Sequence, residues 1–426
     1  MGGALGSLGD LGAPKVLVLP AVRGWLRVPA LAPSVALAYT PARSRTVLNT
    51  VTDGRVRRAH GAPACDVPAP GRHRNFLLSP ATNAGMTARV RTASRLHFGF
   101  LNLSLSRERI YGGLGVAVEE PVVSVSARRA DGVACDDPDA ETYARLSVDA
   151  LGVPGAAVTV ESSLPRHAGL GSGTQLALAT HVAVARAHDR EPDVRAAAPA
   201  LDRGGRSGVG VATFERGGFV IDAGHPRARF TTDRPPRGEW SVPPVSVRHD
   251  VPETWRFVLV RPDVDPGRSG DREDASMRAA VERAGPEIAE EIAVTVTGRL
   301  LPAIAAGDYA AFGAAVAEVD RLNGAWYADE QGGVYRPPIG ELVDELDASP
   351  AVTGVGQSSW GPTVYGVTGA DHAGEARDAG TAALDAAGVG GDVSVAAPRN
   401  AGATVETEPQ SGNTETGPGR GTGRQT

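Results

Sequence analysis

The sequence predicts an α+β protein with two domains, and three observations carry that prediction. Strand-period and helix-period segments alternate irregularly between about residues 86 and 400, without strict strand–helix–strand repetition. A glycine-rich loop at residues 167–174 runs into a helix that is apolar nearly all round, and so belongs in a core. A proline-rich stretch at 233–252, holding Pro235, Pro236, Pro243 and Pro244, divides the patterned region into a segment over 86–235 and another over 250–400.

The elements follow in order. Residues 87–96 read as a strand, and residues 122–128 alternate apolar and polar with a strand period. Residues 139–151 read as a helix and 157–161 as a strand. The buried helix spans 174–188, and strands follow at 218–222 and 255–260. Two amphipathic helices over 286–306 and 309–323 are joined at Gly307. Further helices fall at 340–347 and 372–387, with strands at 364–367 and 393–396. Residues 1–85, rich in Gly, Pro, Ala and Arg, read as disorder or as a start assigned too early, since Met86 stands directly before a good strand. Residues 401–426 read as a disordered tail.

Composition bounds the class. A chain of 426 residues with 42% hydrophobic and 22% charged residues can bury two real cores. Aromatics make up only 5%, so Ala, Val and Leu must fill them. Lys15 is the only lysine; the other basic residues are arginines, a bias that points to a GC-rich genome. Residues 1–85 carry Lys15 and nine arginines against Asp10, Asp53 and Asp66, so with a net charge of −6 the remainder is strongly acidic. An acidic, lysine-poor surface fits a salt-adapted cytoplasm and argues against a nucleic-acid partner. Cys65 and Cys135 form no metal spacing and fit a reduced compartment. No apolar run approaches the roughly 20 residues that span a membrane, and the segment at 16–22 lacks the flanks of a signal peptide. The expectation is a cytoplasmic protein with no membrane partner.

The strongest local signal is Pro165-Arg166-His167-Ala168-Gly169-Leu170-Gly171-Ser172-Gly173-Thr174-Gln175. It follows a strand and opens the buried helix. Gly169, Gly171 and Gly173 let the backbone approach an anion and aim successive N–H groups at it. The helix N-terminus adds about half a positive charge, and Ser172 and Thr174 add hydroxyl donors. The run is neither a Walker loop nor a dinucleotide fingerprint. The plainer account is a strand-to-helix turn capped by Thr174.

Four further clusters could carry chemistry. Arg203-Gly204-Gly205-Arg206-Ser207-Gly208-Val209-Gly210 suits an anion clamp, or is a surface loop. Asp222 and His225 stand at a strand end, where an acid–base or metal role competes with a structural one. Gly354-Val355-Gly356-Gln357-Ser358-Ser359-Trp360-Gly361-Pro362-Thr363 surrounds an amide, two hydroxyls and an indole with glycines, and otherwise reads as a tight turn. Asp263, Asp265, Asp271, Glu273 and Asp274 crowd what reads as one loop, either as Mg²⁺ ligands beside a polyphosphate or as solvated surface acids.

Pro165–Gln175 resembles the second motif of the GHMP kinases (galacto-, homoserine, mevalonate and phosphomevalonate kinases). Arg95-Leu96-His97-Phe98-Gly99, Tyr111-Gly112-Gly113-Leu114-Gly115, Gly204–Gly210 and the specific run Gly356-Gln357-Ser358-Ser359-Trp360-Gly361-Pro362-Thr363 narrow the likeness. Together they resemble the β-ribofuranosylaminobenzene 5′-phosphate synthases over residues 87–398. The chain departs at Arg206, where a small hydroxyl residue is expected, and at Arg268-Ser269-Gly270-Asp271, where Leu-Ser-Gly-Glu is expected.

The resemblance implies the two-domain GHMP fold, a ribosomal S5 domain 2-like N-terminal domain followed by a ferredoxin-like C-terminal one. It implies condensation of phosphoribosyl pyrophosphate with 4-aminobenzoate or 4-hydroxybenzoate, releasing CO₂ and pyrophosphate, an early step toward methanopterin-type pterins in archaea. In the expected roles, Gly169, Gly171, Ser172, Gly173 and Thr174 bind one phosphate. Arg203, Arg206 and Ser207 bind the other end, and Ser358, Ser359 and Trp360 line the aromatic acid's pocket. His97, Asp222 and Gln357 are the catalytic candidates, and Asp222 or Asp263 holds Mg²⁺. The alternatives are an ATP-dependent small-molecule kinase of the same superfamily and a non-catalytic ligand sensor. A homodimer is the candidate assembly.

Overall fold

The computed structural model describes residues 86–268 and 270–409. The readings made for residues 1–85 and 410–426 lie outside the described residues.

The first half is built on two long strands, β1 (Met86–Asn102) and β2 (Arg109–Arg129). They pair antiparallel almost end to end, from Thr87 opposite Arg128 to Asn102 opposite Tyr111. Residues 119–121 bulge out of that ladder between Ala93 and Ser94, where Pro121 has no N–H to give it. A second irregularity between His97 and Gly99 leaves Phe98 without a partner and fully buried. After the short β3 (Val133–Ala134) comes α1 (Pro138–Leu151). Asp137 caps it by accepting from the amides of Asp139 and Ala140, and Gly152 ends it in the left-handed region. β4 (Ala156–Ser162) returns antiparallel to β2. The expected buried helix is α2 (Ser172–Ala187), packed between α1 and the sheet, which is why its sequence has no polar face. α3 (Val194–Ala197) and α4 (Val209–Arg216) lead to β5 (Phe219–Asp222) and β6 (His225–Pro226), both paired with β2. β7 (Val245–His249) then pairs with β5. The proline-rich stretch is therefore not all linker: part of it completes the first sheet.

The second half opens with β8 (Trp255–Pro262), followed by α5 (Gly270–Arg283) and α6 (Glu287–Thr295). The helix expected over 286–306 is interrupted by a π turn, Val296–Leu300, before α7 (Leu301–Ala306). Pro302, in the first turn of α7, has no N–H to continue the α ladder. Next come α8 (Tyr309–Trp326), α9 (Ala328–Gln331) and α10 (Ile339–Asp347). β9 (Val355–Gln357), β10 (Val364–Gly369), α11 (Ala373–Ala386) and β11 (Gly391–Ala396) complete it. The four strands form an antiparallel sheet in the order β11-β8-β10-β9. β8 is apolar along its length because α10 and α11 cover Val258 and Val260, while Phe257 and Leu259 join the opposite core.

That larger core joins the two sheets. Phe98 of β1 lies 6.1 Å from the ring of Phe312 on α8 and 5.0 Å from Tyr365 on β10, centroid to centroid. Two expectations are corrected. Asp271, Glu273 and Asp274 lie on α5 rather than on a loop, where a first helical turn favours acids. The segment expected to be a disordered tail contains β12 (Thr404–Pro409), which pairs antiparallel with β1, Met86 opposite Pro409.

Candidate active site

The glycine-rich loop owes its shape to two left-handed residues. Gly169 and Gly171 have φ of 81° and 82°, a region in which a side chain is strained. Gly171 is the N-cap of α2 and supplies no side-chain cap, so the first amides of the helix are left for another acceptor. Arg95, from β1, runs alongside. Its Nη1 donates to the Gly169 carbonyl at 2.7 Å, and its backbone amide donates to Leu170 at 3.1 Å. The Arg95 Nε is buried with no partner. Burial pulls this guanidinium down to about 10, with Glu273 working in the other direction. A half-buried cation beside a helix N-terminus is a strong anion attractor.

Arg203 closes the other side of the helix start. It bonds the Tyr143 hydroxyl and lies over that ring, 5.2 Å from its centroid. A Cβ placed on Gly173 would be 3.4 Å from its Nη1. Gly169, Gly171, Gly173, Arg95 and Arg203 thus form one cradle, with Ser172 and Thr174 in the first turn of α2. Arg206, expected in the same role, is instead engaged by α5: it pairs with Glu273 at 3.1 Å and with Asp274. The arginine that the expected pattern lacks has found two carboxylates.

Ser207, Asp222 and His97 meet beneath the loop. His97 Nε2 lies 3.1 Å from Ser207 Oγ, which donates to Asp222 Oδ2 at 3.3 Å. The Asp222 carboxylate also accepts the Gly208 amide at 2.6 Å and the Gly224 amide at 2.8 Å. Its side chain is fully buried, and burial raises its pKa to about 6 against those hydrogen bonds. Burial, and then Arg95, lower His97 to about 3, so this imidazole is neutral near pH 7. His225 stacks on Phe230 at 3.8 Å and lies 3.1 Å from the Gly204 carbonyl, the structural alternative for that residue.

The metal expectation does not fit this geometry. Both oxygens of Asp222 are occupied by backbone amides. Asp263 is exposed at the end of β8, its amide bonded to Gly390 across the second sheet. The two are not brought together. Among the described residues no group of three His, Cys, Asp or Glu side chains could hold a metal ion.

The run at 356–363 forms the roof. Ser358 Oγ accepts the His97 amide at 3.0 Å and donates to the Gly169 carbonyl at 2.7 Å. The Ser359 amide donates to the His97 carbonyl at 3.0 Å, and Thr363 N to Ala168 at 3.3 Å. These bonds tie the phosphate-type loop, β1 and the second half into one assembly. Beyond them lies a narrow, partly open cleft. Its walls include Tyr327, Trp360, Gln357 and Tyr335. Trp360 packs 4.7 Å from Tyr327, with Arg268 over its ring at 5.7 Å.

Three residues were not assigned from sequence. Arg95 stood in a quoted motif without a role. Asp320 and Asn323 lie on α8, in the stripe with Val316 and Val319. All four are buried. Polar residues on the apolar stripe of the helix expected at 309–323 are the signal that would have found them. Asn323 pairs with the Phe100 backbone on both sides, Oδ1 accepting at 2.7 Å and Nδ2 donating at 3.0 Å. Asp320 accepts the Gln357 amide at 2.9 Å, and burial holds it well above the usual carboxylate range.

Known proteins share this pattern. The family described as GHMP kinases N terminal domain matches residues 140–218, and that described as GHMP kinases C terminal matches residues 300–386. A β-ribofuranosylphenol 5′-phosphate synthase of Methanothermobacter thermautotrophicus is 35% identical over 295 residues, 66% of this chain and 88% of that one. Its counterpart in Archaeoglobus fulgidus is 32% identical, covering 68% and 90%. Among solved structures, homoserine kinase from Cytophaga hutchinsonii superposes with a TM-score of 0.53 at 17% identity, over 77% of this chain and 100% of its own. Methanococcus jannaschii mevalonate kinase gives 0.52 at 12%, over 73% and 98%. At those identities the structures speak to the fold alone. Among the described residues no helix is long and apolar enough to cross a membrane.

Proposed function

The chain belongs to the β-ribofuranosylphenol 5′-phosphate synthase family within the GHMP superfamily, and from that premise we propose that it condenses phosphoribosyl pyrophosphate with 4-hydroxybenzoate or 4-aminobenzoate. The ring carbon bearing the carboxylate attacks the anomeric carbon as the bond to pyrophosphate breaks. The C–CO₂ bond then breaks, its electron pair restores the aromatic ring, and CO₂ leaves.

The observation that carries this reading is the Ser358 bridge, which sets the anion cradle directly against the aromatic-walled cleft. Pyrophosphate leaves as an anion, so the reaction needs fixed positive groups more than a strong nucleophile. The amides at the start of α2, Arg95 and Arg203 supply them. Trp360 and Tyr327 offer an aromatic ring a face to stack on. His97, Ser207 and Asp222 hold the floor in place: neutral His97 and the clamped carboxylate fix the backbone of β1 and of the loop before α4. Among the described residues no carboxylate cluster would cage Mg²⁺, which would instead come as the counter-ion of the substrate's phosphates. The kinase reading is not favoured, because the curated relatives carry the synthase name. The site belongs to an enzyme that binds small molecules, consistent with a soluble setting.

The test uses the full chain with phosphoribosyl pyrophosphate, Mg²⁺ and carboxyl-labelled 4-hydroxybenzoate or 4-aminobenzoate, counting released CO₂ and pyrophosphate. Release of both in equal amounts, lost in Gly171→Asp, supports the synthase. ATP consumption with a small alcohol and no CO₂ would overturn it.

A further inference from the structure

The cleft is lined by two polar groups that the reaction as described leaves unused. Asp320 is only 5% exposed and Gln357 6%, yet both line the cavity. The Gln357 side chain is fixed by its Nε2, which donates to the Ser359 carbonyl at 3.0 Å. That bond leaves Oε1 buried with no partner among the described residues. An orphaned carbonyl oxygen in the lining of this cleft asks for a donor, and leaving it unmet costs about 1–3 kcal/mol. The Asp320 carboxyl accepts only the Gln357 amide, at 2.9 and 3.3 Å. Burial pushes its pKa well above the usual carboxylate range, which favours the protonated form, the one with a hydrogen to donate. The cleft therefore presents one donor and one acceptor from two hydrogen-bonded residues, with Tyr327, Tyr335 and Trp360 in the same lining.

We propose that Asp320 and Gln357 read the substituent para to the carboxylate of the aromatic substrate, a further specificity determinant that rests on the synthase reading above. A ring seated against Trp360 with its carboxylate-bearing carbon toward the sugar puts its far substituent toward this pair. A hydroxyl meets both groups: it donates to Gln357 Oε1 and accepts from Asp320. An aromatic amine donates to Oε1, but its lone pair is drawn into the ring and accepts poorly from Asp320. A ring bearing no polar group at that position leaves both unmet. Electron release from that substituent is what makes the opposite ring carbon nucleophilic, so the groups that recognise it also select the substrates able to react.

The experiment titrates 4-hydroxybenzoate, 4-aminobenzoate and benzoate calorimetrically against the full chain and against Asp320→Asn and Gln357→Met, with melting midpoints confirming folding. CO₂ release by the unsubstituted chain is measured in parallel. Two hydrogen bonds of about 1 kcal/mol each predict that 4-hydroxybenzoate binds about tenfold or more tighter than benzoate. Gln357→Met should lower that ratio about fivefold while benzoate affinity holds, and Asp320→Asn should shift preference between the hydroxyl and the amine. Should the chain release CO₂ while both folded variants keep the original ratios, this assignment fails and the synthase reading stands. If no aromatic acid binds and no CO₂ appears, the synthase reading fails and takes the assignment with it.

Discussion

The hydroxyl of Ser358 donates to the carbonyl of Gly169 at 2.7 Å, across 189 residues of sequence. The same oxygen accepts the His97 amide, so one buried side chain satisfies two backbone groups from different elements. Ser358→Ala would strand both. A stranded buried amide or carbonyl costs about 1–3 kcal/mol. We expect a melting midpoint lower by several degrees and a rise in KM for phosphoribosyl pyrophosphate exceeding that for the aromatic acid. An unchanged midpoint would show that the bridge contributes nothing.

Arg95 separates charge from fold. Arg95→Gln keeps the backbone pairing to Leu170 and a donor near Gly169 but removes a half-buried cation. Loss of one fixed group facing developing negative charge costs about 10²–10³ in turnover. The expected result is that loss in kcat/KM with little change in melting midpoint, measured by steady-state pyrophosphate release. Activity within a fewfold of the original would remove Arg95 from the cradle.

Acid should unfold this protein through its histidines. Burial holds His181 and His225 near 4, and burial with Arg95 holds His97 near 3, all below their usual 6.5. Folded, these rings refuse protons that the unfolded chain accepts, so stability is present above about pH 6.5 and is lost as pH falls toward 4. Asp222 opposes this. Its carboxyl, raised from 3.8 to about 6, keeps a proton that the unfolded chain releases, so that contribution declines as pH rises through the same window. Asp320, whose carboxyl burial also raises, opposes it in the same sense, so three rings stand against two carboxyls and leave a net loss in acid. His181 sits in α2, 3% exposed and with Nδ1 unpartnered. His181→Leu should flatten the acid limb by about one proton, ~1.4 kcal/mol per pH unit, in urea midpoints taken between pH 4 and 6.5. An unchanged slope would contradict the assignment.

Asn323 pairs with the Phe100 backbone as another strand would, holding α8 against β1. Asn323→Ala leaves that amide and carbonyl unmet and should destabilise by about 2–4 kcal/mol. Urea unfolding measures it, and a loss below about 0.5 kcal/mol would mean that water replaces the pairing.

What could be read from the sequence follows from how each segment is buried. α2 was legible because all its faces are covered, and β8 because both of its faces are. β12 was not: all six residues are exposed, and Val405 is its only large apolar side chain. The cradle was legible through Gly169 and Gly171, whose backbone conformations only glycine adopts easily. Asp320 was not, since one aspartate in an alanine-rich helix looks like a solvated residue until its neighbours are known. Arg206 was read as a ligand clamp because its sequence context could not reveal that Glu273 and Asp274 face it from α5.

The pairing of β12 with β1 has a consequence for synthesis. Met86 and Pro409 sit opposite each other in the ladder, so the outer side of an early strand meets its partner only after more than three hundred further residues have left the ribosome. Until then β1 presents an open row of amides and carbonyls, the kind of edge that recruits other chains. A nascent chain arrested before residue 404 is therefore the species that should lean most on chaperones.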